Sequence, residues 1–265
     1  MRWLAACLLA AFMLPALAAE EVISIPTRPG VTVSYLLVSA PSAKPRIIVV
    51  SFVGGRGVIN LAERSAKGAL RFGPGANFLV RVRDEFANAD MADALIDAPS
   101  DQLPNGMDDA FRMSDAHAQD VGAVIADLLK RYPESKVYAM GTSRGTTSAA
   151  TLGARQPALF AGIVLSSTVT VADRTGPNLS RFDWSSLRVP VLLVHHRDDA
   201  CRSSPYGGVE RLASRFALTT VEGGDPPKSD ACEPQSAHGY LGREKATSEA
   251  IRRWITSGTP TPLVQ

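Results

Sequence analysis

The sequence predicts an α/β fold: one mainly parallel central sheet with helices on both faces and no large lid domain. Three observations lead there. Short apolar runs rich in β-branched residues recur along the chain, and most are continuous rather than alternating, as in strands buried on both faces. Stretches with helical periodicity fall between them, and that alternation favours parallel pairing with right-handed crossovers. The composition, 45% hydrophobic and 20% charged over 265 residues, is that of an ordinary globular chain.

The apolar runs lie at 31–38, 47–53, 78–82, 136–140, 162–166 and 189–195, and each is read as a strand. The segment 114–131 carries Val121, Val124, Ile125, Leu128 and Leu129 on one stripe behind Ser114, a good N-cap. The alanine-rich segment 146–155 stops before Pro157, and 242–255 places Ala246, Ala250, Ile251 and Trp254 on one face. The stretch 167–188 is too short for an independent lid. The last residues, 256–265, show no periodicity and read as a loose tail. Residues 19–265 are therefore expected to form one domain.

The N-terminus reads as a secretory signal peptide over residues 1–18. Arg2 precedes an apolar stretch, Pro15 breaks it, and Ala16-Leu17-Ala18 supplies a small-residue cleavage site. The apolar run is short for a membrane span, so none is expected after cleavage. The implied location is periplasmic or secreted. With 28 basic and 26 acidic side chains, loss of Arg2 leaves a net charge of +1. A near-neutral chain has no electrostatic footprint for nucleic acid. Cys7 leaves with the signal. The remaining pair, Cys201 and Cys232, reads as a disulfide in an oxidising compartment. It would close a loop of about 32 residues, worth roughly 3–4 kcal/mol in the chain-entropy view.

Gly141-Thr142-Ser143-Arg144-Gly145 matches G-x-S-x-G. With 21 Gly and 23 Ser, roughly one random chain in seven would show that pattern, so the motif alone is weak. Its context is what carries weight: an apolar run precedes it and a helical segment follows, as a nucleophile at a tight strand-to-helix turn requires. A serine hydroxyl needs a base, and the base needs an orienting carboxylate. Of the four histidines, His117 sits on a core-facing stripe and reads as structural, while His195 and His196 end a strand. His238, in a loop before the last helix and followed by Gly239, is the expected base. Asp198 and Asp199, just past the run 189–195, compete as the acid.

These residues resemble the α/β-hydrolase superfamily over most of the chain, from about Val31 to Ile255, in the order nucleophile, acid, base. The segment 97–102, with Phe111, Arg112 and Ser114, looks like that of exported bacterial serine hydrolases. In such enzymes the acid stands four positions after the strand-end histidine, which here is His195 and selects Asp199. The resemblance also implies an oxyanion hole built from the backbone N–H of Arg144 and that of Gly54 or Gly55. The disulfide would then tie the acid loop to the base loop. The side chain of Arg144 is expected in solvent or paired with Asp101 or Asp183.

The implied activity is hydrolysis of an ester, thioester or related acyl bond of a small molecule through an acyl-enzyme. Acyl transfer, amide or peptide hydrolysis on the same residues, and ligand binding without catalysis are the alternatives. No cofactor or metal is expected: H-E-x-x-H is absent, and the two mature cysteines are far apart in sequence.

Overall fold

Among the described residues, nine strands form one sheet in the order β1-β2-β4-β3-β5-β6-β7-β8-β9. The computed structural model describes residues 18–68, 70–172 and 178–265, so the expected signal peptide lies outside them except at Ala18. The strands are β1 (Ala19–Arg28), β2 (Val31–Ser39), β3 (Ile47–Phe52), β4 (Met91–Ile96), β5 (Lys136–Thr142), β6 (Gly162–Ser166), β7 (Val191–His196), β8 (Ala217–Val221) and β9 (Leu263–Val264). From β4 to β9 every pairing is parallel, while β2 is antiparallel to both neighbours. The helices are α1 (Leu61–Ala66), α2 (Phe78–Arg81), α3 (Asp109–Arg112), α4 (Asp115–Arg131), α5 (Gly145–Arg155), α6 (Tyr206–Glu210) and α7 (Glu244–Ser257).

Two apolar clusters cover the two faces of the sheet. Val121, Val124, Ile125 and Leu128 of α4 pack with Ala149, Ala150 and Leu152 of α5 on one face. Ile251, Trp254 and Ile255 of α7 pack on the other with Phe78, Leu79 and Phe86. Burial on both faces explains why the central strands read as unbroken apolar runs.

Three expectations change. The run 78–82, expected as a strand, forms the short helix α2, because Asn77 accepts a hydrogen bond from Leu79 N–H and caps it. Three consecutive buried apolar residues, Phe78 to Val80, carry no period that separates helix from strand. The tail is not loose throughout: Thr256 and Ser257 extend α7, and Leu263 and Val264 pair with β8, where Val264 is buried. Strands β1, β4 and β8 stand beyond the expected runs. Strand β4 carries Ala92, Asp93 and Ala94, and β1 alternates between half-buried and exposed positions, so neither shows a continuous β-branched run.

Asp93 sits fully buried in β4 and accepts a hydrogen bond from Ser51 Oγ at 2.6 Å. Burial pushes its carboxyl up to about 8, against the smaller opposing effect of that bond. A carboxyl raised in the folded state stabilises the fold fully below the unfolded value, near pH 4, and that contribution is lost as pH rises toward 8. Asp93→Asn removes the ionisation. The free energy of urea unfolding is expected to fall between pH 5 and 8 in the wild type by at least ~2 kcal/mol more than in the variant. Equal slopes in the two proteins would show that Asp93 ionises freely in the fold.

Candidate active site

Ser143 follows β5 at the carboxyl edge of the sheet, where open α/β sheets place their sites. Its backbone is left-handed, φ 53°, a conformation costing roughly 1–2 kcal/mol for a residue with a side chain. The turn is held by Ser143 N–H to Ser166 O at 2.9 Å, and by the Thr146 N–H and hydroxyl, both donating to Ser143 O. The flanking glycines are steric requirements. A Cβ on Gly141 would stand 2.3 Å from Gly145 O, and one on Gly145 would stand 2.0 Å from Phe52 O.

Asp199 and His238 meet. His238 Nδ1 lies 2.8 Å from Asp199 Oδ2 and, facing a carboxylate, carries the proton. His238 Nε2 is then the unprotonated nitrogen; it is buried and has no hydrogen-bond partner among the described residues. His238 and Ser143 line one cleft of about 180 Å³ with Gly54, Gly55, Asn77 and Glu233. A larger pocket of about 310 Å³ behind the acid loop, among His196, Asp198 and Asp225, touches neither Ser143 nor His238.

The acid is surrounded by donors. Cys201 N–H donates to Asp199 Oδ1 at 2.9 Å, and Ser204 Oγ donates to Oδ2 at 3.1 Å. His195 Nε2, bonded to Ser204 O at 2.8 Å, stands 3.3 Å from Oδ2. Burial alone would raise the carboxyl, but the bonds from His195 and His238 outweigh it and hold Asp199 well below the usual carboxylate range. Asp198 is exposed. The strand-end histidine therefore touches the acid, a role beyond the packing expected of it.

Cys201 and Cys232 form a disulfide with a Cα–Cα distance of 4.6 Å, joining the acid loop to the loop that precedes His238. Asp199, Cys201 and His238 are grouped closely enough to hold a metal by ligand type. The Cys201 sulfur is spent in the disulfide and offers no thiolate, so the group reads as an acid–base pair beside a crosslink.

Residues outside the motif fix the loops. Tyr240, in a left-handed conformation and fully buried, donates from its hydroxyl to Val194 O and accepts from Ser167 N–H. Ser167 Oγ donates to His238 O at 2.8 Å, so the ends of β6 and β7 anchor the histidine turn. Arg112, 1% exposed, donates to Val53 O and Gly55 O at 3.2 Å each and to Ser148 Oγ. Burial lowers its guanidinium to about 10, with Asp109 opposing, so it stays charged at neutral pH. His117 is buried against Ser148 Oγ, and burial, followed by Arg112, lowers it to about 3. The side chain of Arg144 pairs with Asp109 at 3.5 Å, not with Asp101 or Asp183. Asp109 is buried and is brought there by the short α3. Arg56 is exposed.

The family profile described as serine aminopeptidase, S33, matches residues 106–211, a span that includes Ser143 and Asp199 and stops before His238. No curated protein sequence matches the chain. Among solved structures, Est1E from Butyrivibrio proteoclasticus is similar at 14% identity and TM-score 0.61, over 89% of this chain and 97% of that one. An α/β serine hydrolase homologue from Coxiella burnetii aligns at 12% identity and TM-score 0.60, over 88% and 96% of the two chains. XC6422 from Xanthomonas campestris, a serine hydrolase described as without lid, aligns at 14% and 0.55, over 91% and 96%. With the strand order and the serine turn between β5 and α5, these likenesses show that the chain has the α/β-hydrolase fold.

Proposed function

We propose that the protein is an exported serine hydrolase acting on an ester or thioester of modest size, with Ser143 as nucleophile, His238 as base and Asp199 as the orienting acid. One observation carries the reading: Ser143, held in a strained backbone, shares a cleft with a histidine whose Nδ1 is bound to a buried carboxylate and whose Nε2 has no partner among the described residues. Ser143 Oγ attacks the acyl carbon as its proton passes to His238 Nε2. The tetrahedral oxyanion is held by the backbone N–H groups of Arg144 and of Gly54 or Gly55. The acyl–oxygen or acyl–sulfur bond breaks, and the leaving group takes the proton back. Water then attacks the acyl-serine by the same route and releases the acid. The small cleft favours a compact acyl group. The disulfide and the signal-like N-terminus support export.

A second reading, cleavage of an aminoacyl amide, is favoured by the partial match to serine aminopeptidases. A fluorophosphonate probe is expected to label the protein at Ser143, and acyl esters of graded length are expected to turn over faster than matched amides. Faster amide cleavage would favour the second reading. No labelling and no turnover would leave a binding protein of this fold.

A further inference from the structure

We infer that the side-chain amide of Asn77 is a further hydrogen-bond donor to the reacting carbonyl oxygen, beside the backbone donors named above. The inference rests on the hydrolase reading of Ser143. Asn77 lines the cleft that holds Ser143 and His238. Its orientation is set by α2: Leu79 N–H donates to Asn77 Oδ1 at 3.1 Å, so the oxygen faces the helix and Nδ2 the other way. Among the described residues Nδ2 donates to no protein acceptor.

Where Nδ2 faces is given by Gly54. From the point at which a Gly54 Cβ would stand, Ser143 Cβ is 2.9 Å away, Thr142 O is 3.1 Å and Asn77 Nδ2 is 3.3 Å. The nucleophile and the amide nitrogen thus flank the same small space, which glycine leaves open. A carbonyl attacked by Ser143 develops its negative charge next to that space. A neutral donor already aimed there, locked by its own cap bond, needs no reorganisation as the charge forms. The cap itself needs only an acceptor at this position, and serine or aspartate supplies one as well as asparagine does. The donor end of Asn77 is therefore free for a second task.

A donor that strengthens in the transition state lowers kcat and kcat/KM together when lost, leaving KM nearly unchanged. Asn77→Ser keeps a cap acceptor for Leu79 N–H and removes the amide donor. Against p-nitrophenyl acetate, its kcat is expected to fall by about 10²–10³-fold, with KM and Tm close to those of the wild type. Asn77→Asp keeps the cap but turns a carboxylate toward the forming oxyanion, and is expected to fall further. A wild-type kcat in Asn77→Ser would overturn the inference while leaving the hydrolase reading standing. So would a loss of activity seen only where Asn77→Ser has begun to melt. A wild-type protein that neither turns over esters nor labels at Ser143 would instead remove the hydrolase reading and this inference with it.

Discussion

Ser143→Ala is expected to lower kcat on an activated ester by on the order of 10⁶, because the nucleophile and base act as a unit and neither works alone. The fold should be untouched, since the turn is held by backbone bonds to Ser166 and from Thr146 that the substitution spares. Ser143→Gly sharpens the test. The position has φ 53°, where glycine carries no steric penalty. Glycine there is expected to be as inactive as alanine but more stable than the wild type by about 1 kcal/mol. Equilibrium unfolding in urea, measured beside ester turnover, reads both effects. A glycine variant that is inactive and more stable shows strain kept at the site for chemistry. Turnover retained in either variant would remove Ser143 as nucleophile.

Most of the architecture was legible in the chain, and so were the residues proposed for the chemistry. The central strands announced themselves because two covered faces demand continuous apolar runs. His238 stands out by its loop position, and Asp199 by the spacing from His195 that the resemblance implies; the fold brings them to 2.8 Å. The outer strands were harder. β1 is partly exposed and β4 has a buried aspartate at its centre, so neither shows an apolar run. Asn77 before Phe78 was the available signal for α2, since an N-cap residue can mark a helix start. The supporting residues left no local trace. Ser204 reaches Asp199 and His238 from the loop before α6, and Tyr240 reaches β7 from 46 positions along the chain. Arg112 braces the glycine loop from the far side. Such contacts are set by tertiary closeness, which no spacing encodes.

Asp199→Asn is expected to lower kcat by about 10⁴, the cost of losing the correct imidazole tautomer. Around this carboxylate every polar neighbour is a donor: Cys201 N–H on Oδ1, and Ser204 Oγ, His238 Nδ1 and His195 Nε2 about Oδ2. A carboxylate accepts from both ends, but an amide must turn its NH₂ toward one of them. If the NH₂ faces His238, Nδ1 becomes an acceptor and Nε2 takes the proton, so the base is lost. If it faces Cys201, two donors oppose each other at a buried site, and stability falls by about 1–3 kcal/mol. Asp198→Asn, on the exposed neighbour, is expected to change neither quantity. The acid limb adds an independent reading. Asp199 is depressed in the fold, so its contribution to stability is present above the unfolded value near pH 4 and drains away as pH falls below it. The stability gap between wild type and Asp199→Asn should therefore narrow as pH drops from 6 toward 3. A gap that stays constant would show that the fold does not depress Asp199, and an Asp198→Asn variant that loses the activity instead would reassign the acid.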